Sequence, residues 1–515
     1  MKIMKKYIAI FFVLISTTAL FSCGEDFLDL SDPNAVPAGE YMKAPADVEA
    51  AVNGIYAAIR SNNALGESSS VYVDERGDDM GRNDNQSNAG EPFQFNDFSL
   101  IPSNTYLKNH WSALYTIVSR ANYVINNIET VTYADESLRS NHLAQATYLR
   151  ALGYYHLVRK WGAVPLVIRE VKTPDELEEV TFREAEANVY AQIIADLEVA
   201  IASSLPDHQP VSGKGRVSKV AALALLGEVY LTMGSNQIPG KDPNEFFRLA
   251  KQNLEEAYSK RTFGDLKEIS YESVFDVNQK STNPELIFQI VYRQGDQDLS
   301  SAVARNNQAL GETINSQRPA TGGGTRVNLD LVNEYESNDP RKTFSVNYAE
   351  DSRVQEYYIT KYRDKSDVAG VNGFGGNDHI MMRYADVILL LAEVNERLGN
   401  TGEAIAMLNQ VRERAGLPLY EQARQNPDYA ASYPTLKLAI LHERRVELAF
   451  EQKRWYDLLR AFTVPELVQF FSSKDQSEYG VANLQNFSEK DRFYPIPFDE
   501  YQLDPERMYQ NPGYN

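Results

Sequence analysis

The sequence predicts a mainly α protein: a solenoid of about four helix pairs carrying long loop-rich insertions and a few short strands. Three observations support this. Apolar residues recur at three- and four-residue steps through a series of long segments. Several of these are joined as helix, short turn, helix. Between the pairs lie three stretches, 61–103, 261–378 and 461–515, where the helical period fades and Gly, Asn, Asp, Ser, Pro and aromatic residues concentrate.

Taken in order, the first element stands outside the fold. Lys2, Lys5 and Lys6 precede an apolar run ending at Leu20, the pattern of a signal peptide and too short for a spanning helix. Leu20-Phe21-Ser22-Cys23 then resembles the bacterial lipobox, and Cys23 is the sole cysteine. Residues 1–22 are accordingly read as a lipoprotein signal peptide, with Cys23 as the lipid attachment. Residues 23–44 form an acylated tether in which Pro33 and Pro37 block regular helix. Acyl chains contribute roughly 0.8 kcal/mol per buried methylene, so several on one cysteine anchor a protein durably. Gly24-Glu25-Asp26 resembles the surface-export signal of Bacteroidota lipoproteins. The expected location is the outer membrane, lipid-anchored and facing the cell exterior.

Residues 45–515 are read as a single body. Its helical segments are 46–60, 107–129, 138–160, 184–203, 217–233, 245–259, 379–399, 402–415 and 434–460. Leu223, Leu226, Tyr230 and Met233 illustrate one apolar stripe. Leu398-Gly399-Asn400 ends one helix, and Thr401 is placed to cap the next. These pairs resemble tetratricopeptide repeats, in a degenerate and interrupted form. Glu285 to Tyr292 reads as a strand. Leu441, Leu448 and Trp455 suggest a buried stripe along 434–460, with Glu443, Arg444, Arg445 and Glu447 forming charge pairs at helical spacing beside it.

Composition narrows function. Acidic residues outnumber basic ones by 71 to 51, a net charge of −20, which argues against nucleic acid as a partner. A hydrophobic content of 43% excludes a disordered or polytopic chain. Catalytic motifs are missing: His442-Glu443 has Val446 where a zinc protease needs a second His, and no Gly-x-Ser-x-Gly elbow occurs. Gly234 to Asp242 has the wrong spacing for a phosphate loop. Asp74, Glu75, Asp78 and Asp79 could supply a glycosidase carboxylate pair, although acidic loops are usually solvated. That loop lacks EF-hand spacing, so calcium is not supported and no cofactor is expected. The chain is not expected to be an enzyme.

Several segments together resemble the SusD/RagB family of outer-membrane nutrient-binding lipoproteins. They are Met382-Arg383-Tyr384-Ala385-Asp386-Val387 with Ala392-Glu393 and Leu408 to Arg412; His442 to Phe450 with Lys453 to Leu458; and Tyr494-Pro495-Ile496-Pro497 through Gln510-Asn511-Pro512-Gly513-Tyr514. His110 to Tyr115 and Arg120 to Tyr123 are similar too. The first two motifs read as structural, and the last as a clamp on the C-terminus. The resemblance implies a protein that captures an oligosaccharide and caps a SusC-like TonB-dependent transporter as its lid. Some relatives handle peptides, so a peptide or other nutrient is the alternative ligand, and a surface glycoside hydrolase is a further one.

Sugar rings have apolar faces and hydroxyl edges, so a glycan site needs aromatic rings beside paired hydrogen-bonding side chains. The segment Val71 to Phe98 offers Tyr72, Asp74, Asp79, Arg82 and Asn83. A second candidate joins Tyr292 and Arg293 to the loop carrying Gln317 and Arg318.

Overall fold

The computed structural model describes residues 42–82, 86–320, 326–350 and 355–514. Cys23, the tether up to residue 41 and Asn83 lie outside the described residues.

The scaffold is a stack of antiparallel helices: α1 (Pro45–Ile59), α2 (Thr105–Asn127), α3 (Glu136–Trp161), α4 (Glu186–Ala202), α5 (Lys219–Ser235), α6 (Pro243–Ser259), α7 (Tyr384–Arg397) and α8 (Thr401–Arg414). Each packs on the one before it, including α7 on α6 across the long insertion. Local chemistry sets the starts. Asn104 accepts from the Leu107 N–H at 3.0 Å to cap α2, Asp135 and Ser218 cap α3 and α5, and prolines open α1 and α6. Helix α5 is the axis of the stack, buried without a break from Val220 to Gly234. Its two glycines set the approach of α6. A Cβ on Gly227 would lie 2.5 Å from Leu254 Cγ, and one on Gly234 would lie 2.6 Å from Phe247 Cε1. The expected helix-pair solenoid is the architecture found. Among the described residues no helix is long and apolar enough to cross a membrane.

Two expected helices are shortened. His379–Arg383 is a strand, β6, paired antiparallel with β2 (Leu286–Ile290), and α7 begins only at Tyr384. The segment 434–460 breaks into α9 (Leu436–Glu447) and α10 (Arg454–Ala461), because Phe450 and Gln452 take left-handed φ values of 66° and 58°. Leu441, Leu448 and Trp455 are all buried, yet they do not share one helix. Helix α11 (Val464–Ser472) follows α10. The insertion holds a small antiparallel sheet ordered β1-β3-β5-β4, from Met80–Gly81, Arg326–Val327, Tyr357–Ile359 and Val346–Tyr348.

Insertion and scaffold are joined by charge. Buried Arg383 at the end of β6 donates to Glu285, Glu447 and Glu451 at 2.6–2.8 Å. Arg341 ties Asp339, Glu443 and Glu447 together at 2.7–2.9 Å. Burial alone would raise the Glu447 carboxyl, but Arg414, Arg383 and Arg341 hold it well below the usual range. The charged residues of α9 therefore pair across the molecule rather than along their own helix. Arg444 reaches Asp386 and Asp457, and Arg445 reaches Asp79 at 2.7 Å. The C-terminus is clamped as expected. The Trp161 indole donates to the Pro495 carbonyl at 2.9 Å, and the Asn511 amide donates to Trp161 O and Tyr494 O at 3.0 and 2.7 Å.

Candidate functional site

The two loop regions that the sequence singles out meet in space. Glu67 opens the 3₁₀ turn Glu67–Tyr72, and its backbone N–H donates to the Tyr292 hydroxyl at 3.0 Å. Its carboxylate accepts from the Ala302 N–H at 2.9 Å and from the Ser301 hydroxyl. Burial pushes that carboxyl up, against these hydrogen bonds.

Three segments then build one polar face. Ser301 and Gly375 exchange backbone hydrogen bonds at 2.8 and 2.9 Å, and the Gly295 N–H donates to the Phe374 carbonyl at 2.9 Å. Ser316 bridges to Asp364. The loops 292–302, 305–318 and 364–376 are thereby fixed side by side, with Arg293, Gln317 and Arg318 exposed and Arg305 and Phe374 half-buried. The adjoining β4–β5 hairpin packs Ala349 and Tyr358 on Ala309. It presents Tyr348, 41% exposed, edge-on to Tyr357 with ring centroids 5.1 Å apart.

Beneath this face lies a small polar cavity of about 40 Å³, with Asp74, Asn307, Asn377, Asp378 and Gln452 in its wall. By volume it suits water-sized occupants. Asp74 accepts from the Gln452 N–H at 3.2 Å. Burial and the neighbouring Asp79 charge hold the Asp74 carboxyl well above its usual range.

Much of the expected contact set is interior. Tyr72 is 1% exposed and stacks on the His110 ring, with centroids 3.9 Å apart. Asp74 and Asp79 are buried, and Tyr292 is occupied with Glu67. These four residues are interior, with Asp74 in the wall of the small cavity. The acidic cluster is not a solvated loop: Asp78 meets Arg445, Arg454 and Lys474 at 3.2, 2.8 and 3.2 Å. Arg82 reaches the surface in part and pairs with Glu75. Arg293 and Arg318 are the expected residues that stand on the face. Sequence reasoning missed Glu67, Arg305 and Phe374; the glycine-dense run from Gly370 to Gly376 was the available signal for a close backbone approach.

A larger concavity lies on the helical side. Two overlapping hollows of about 550 and 510 Å³ share Tyr115, Arg120, Val167, Leu177 and Val180. They run along α2 and are walled by the short helix Pro174–Val180. Leu177 and Leu503, 53% and 63% exposed, rim this trough. Arg169 beside it is neutralised by Glu179 at 2.7 Å and Glu176 at 3.5 Å. The lining mixes aliphatic side chains with Trp111, Tyr115, Tyr123, Arg120 and Glu500, and the exposed leucines at its rim suit contact with a protein surface.

One group could hold a metal among the described residues: Glu336, His442 and Glu443, with ligand atoms within 4.8 Å of one another. Arg412 already donates to Glu336 and Glu443 at 2.7 and 3.0 Å, and His442 Nδ1 lies 2.7 Å from Glu334. The positive charge that these carboxylates need is thus supplied by the chain itself.

Comparison with known proteins fits this architecture. Residues 345–514 match the model of the SusD family, and residues 26–231 match one described as starch-binding and associating with the outer membrane. SusD-like protein P2 of Formosa agariphila is 30% identical, with 99% of this chain and 100% of the relative covered. A laminarin-binding SusD-like protein of known structure is 26% identical and superposes with a TM-score of 0.71, over 92% of this chain and 100% of its own. Surface glycan-binding protein A from Bacteroides thetaiotaomicron, solved in complex with laminarihexaose, shares the fold at 20% identity and a TM-score of 0.73, over 90% and 99% of the two chains. With two family-model matches and a full-length relative in agreement, the chain belongs to the SusD/RagB family.

Proposed function

We propose that this protein is a cell-surface lipoprotein, anchored through Cys23 to the outer membrane, that binds oligosaccharides and passes them to a SusC-like TonB-dependent transporter for which it serves as lid. The observation that carries the ligand reading is the loop face, where Arg293, Gln317 and Arg318 stand beside Phe374 and the Tyr348–Tyr357 pair. Rings for stacking beside guanidinium and amide groups are what a sugar requires. The laminarin-binding relative supports a glycan ligand. The trough along α2, with the exposed Leu177 and Leu503 at its rim, supports a protein partner. Binding without turnover is favoured because Asp74 and Asp79, the carboxylates that a hydrolase would use, are buried under other residues.

The test is calorimetric titration of the purified mature protein with a panel of oligosaccharides and peptides. Saturable binding of a glycan, returned chemically unchanged, is the expected result. Binding of peptides alone would replace the glycan reading with the peptide one, and release of shortened sugars would replace it with hydrolysis. Co-purification from gently solubilised outer membranes tests the transporter.

A further inference from the structure

The loop face is built around a concentration of guanidinium groups. Gly373 ends the short helix Asp367–Asn372 in the left-handed region, φ 73°. A Cβ placed there would lie 2.9 Å from Arg305 Nη1 and 3.2 Å from Arg318 Cδ. Two arginine side chains from separate turns therefore lie over one backbone position that lacks a side chain of its own. Arg293 joins them from the neighbouring loop: its turn is tied to Phe374 by the Gly295 hydrogen bond, and its side chain is 75% exposed.

Of the nearby carboxylates, Glu67 feels the charge of Arg305, while Asp364 and Asp296 are held chiefly by hydrogen bonds within the loops. Asp364 accepts from Gln294 Nε2 at 2.7 Å and the Gly376 N–H at 2.8 Å. Asp296 accepts from the N–H groups of Asp298 and Leu299 at 3.0 and 3.1 Å, and approaches Arg293 only to 3.7 Å. Arg305 donates to the Asn306 amide oxygen at 3.3 Å. At physiological ionic strength exposed charges are screened beyond roughly 8 Å, so the local arrangement decides what binds.

We propose that the loop face selects anionic glycans, oligosaccharides bearing carboxylate or sulfate groups, and that Arg293 and Arg305 are the residues that read the charge. This rests on the glycan-binding reading above and adds the ligand class. The forked guanidinium donates two parallel N–H bonds to a planar carboxylate or to two sulfate oxygens, which a neutral sugar cannot match. Arg318, stacked over the same glycine, lines the subsite.

The test compares three sets of oligosaccharides of matched length: neutral laminarin fragments, alginate fragments carrying uronates, and carrageenan fragments carrying sulfates. Each is titrated into the purified mature protein at 50 and 300 mM NaCl. Anionic sets should bind at least about tenfold tighter than neutral ones and weaken at high salt. Arg293→Gln and Arg305→Gln should each weaken anionic binding by about tenfold and neutral binding markedly less, with Arg305→Lys recovering part of the anionic loss. Preference between the two anionic sets tells uronate from sulfate. Equal, salt-insensitive binding of all three sets by wild type and both variants would overturn this inference while leaving glycan capture intact. Absence of any glycan binding by folded protein would overturn both. Should Arg305→Gln fail to fold, the exposed Arg293→Gln variant decides alone.

Discussion

The hydroxyl of Tyr292 accepts the backbone N–H of Glu67 at 3.0 Å, joining positions 225 residues apart in sequence. The bond is half-buried and supports the Glu67 carboxylate that holds Ser301 and Ala302. Tyr292→Phe removes the acceptor and strands an N–H. A loss of about 1–2 kcal/mol in urea unfolding is expected, together with weaker glycan binding, although no exposed ligand contact has changed. Unaltered binding would mean that the face is set without this junction.

His442 titrates against two acids. Burial would lower its pKa, but Glu334 at 2.7 Å and Glu336 at 3.7 Å push it up to about 9. The fold thus favours the protonated ring. Its contribution, on the order of 3 kcal/mol, is complete below about pH 6.5 and is lost as pH rises through about 9. Thermal melts between pH 6 and 10 should fall more steeply for wild type than for His442→Gln. Parallel curves would count against the assignment.

Arg383 neutralises Glu285, Glu447 and Glu451 inside the molecule. Arg383→Met leaves that buried acid cluster short of a cation and should cost about 3–5 kcal/mol. Arg293→Gln, on the surface, should stay within about 0.5 kcal/mol. Chemical denaturation of the two variants side by side checks the contrast.

Gly227 faces Leu254 so closely that a methyl group would overlap its Cγ. Gly227→Ala should destabilise by about 1–3 kcal/mol through overpacking of α5 on α6. A melting temperature equal to wild type would show that α6 can step aside.

Leu177 stands, 53% exposed, over the trough along α2. Leu177→Asp should abolish co-purification with a transporter from solubilised membranes while leaving melting temperature and glycan affinity unchanged. Retained co-purification would move the partner to another surface.

Much of the scaffold was legible because helical periodicity is a local signal. The α5 stripe and the Gly399 turn are written within a few residues of one another. The break inside 434–460 was not, since Phe450 and Gln452 adopt left-handed backbone without glycine. Nor was β6, whose five residues abut α7 and need β2, some ninety positions earlier, to become a strand. The acidic cluster at 74–79 looked solvated because the cations that bury it, Arg445 and Arg454, lie more than 360 residues downstream. The same distance problem hid the site. Arg293 and Arg318 were named from loop composition, whereas Arg305 acquires its place only when Gly373 is brought beneath it.

The pairing of β2 with β6 sets Ile290 opposite His379. Everything between them, including every residue of the arginine cluster, is an excursion that starts and finishes at one point on the scaffold. Closing such a loop costs only a few tenths of a kcal/mol more when its length changes modestly. The exposed turns that carry Arg293 and Arg318 can therefore be rewritten or lengthened, while the stretch around Arg341, paired with Glu443 and Glu447, stays fixed to the helices.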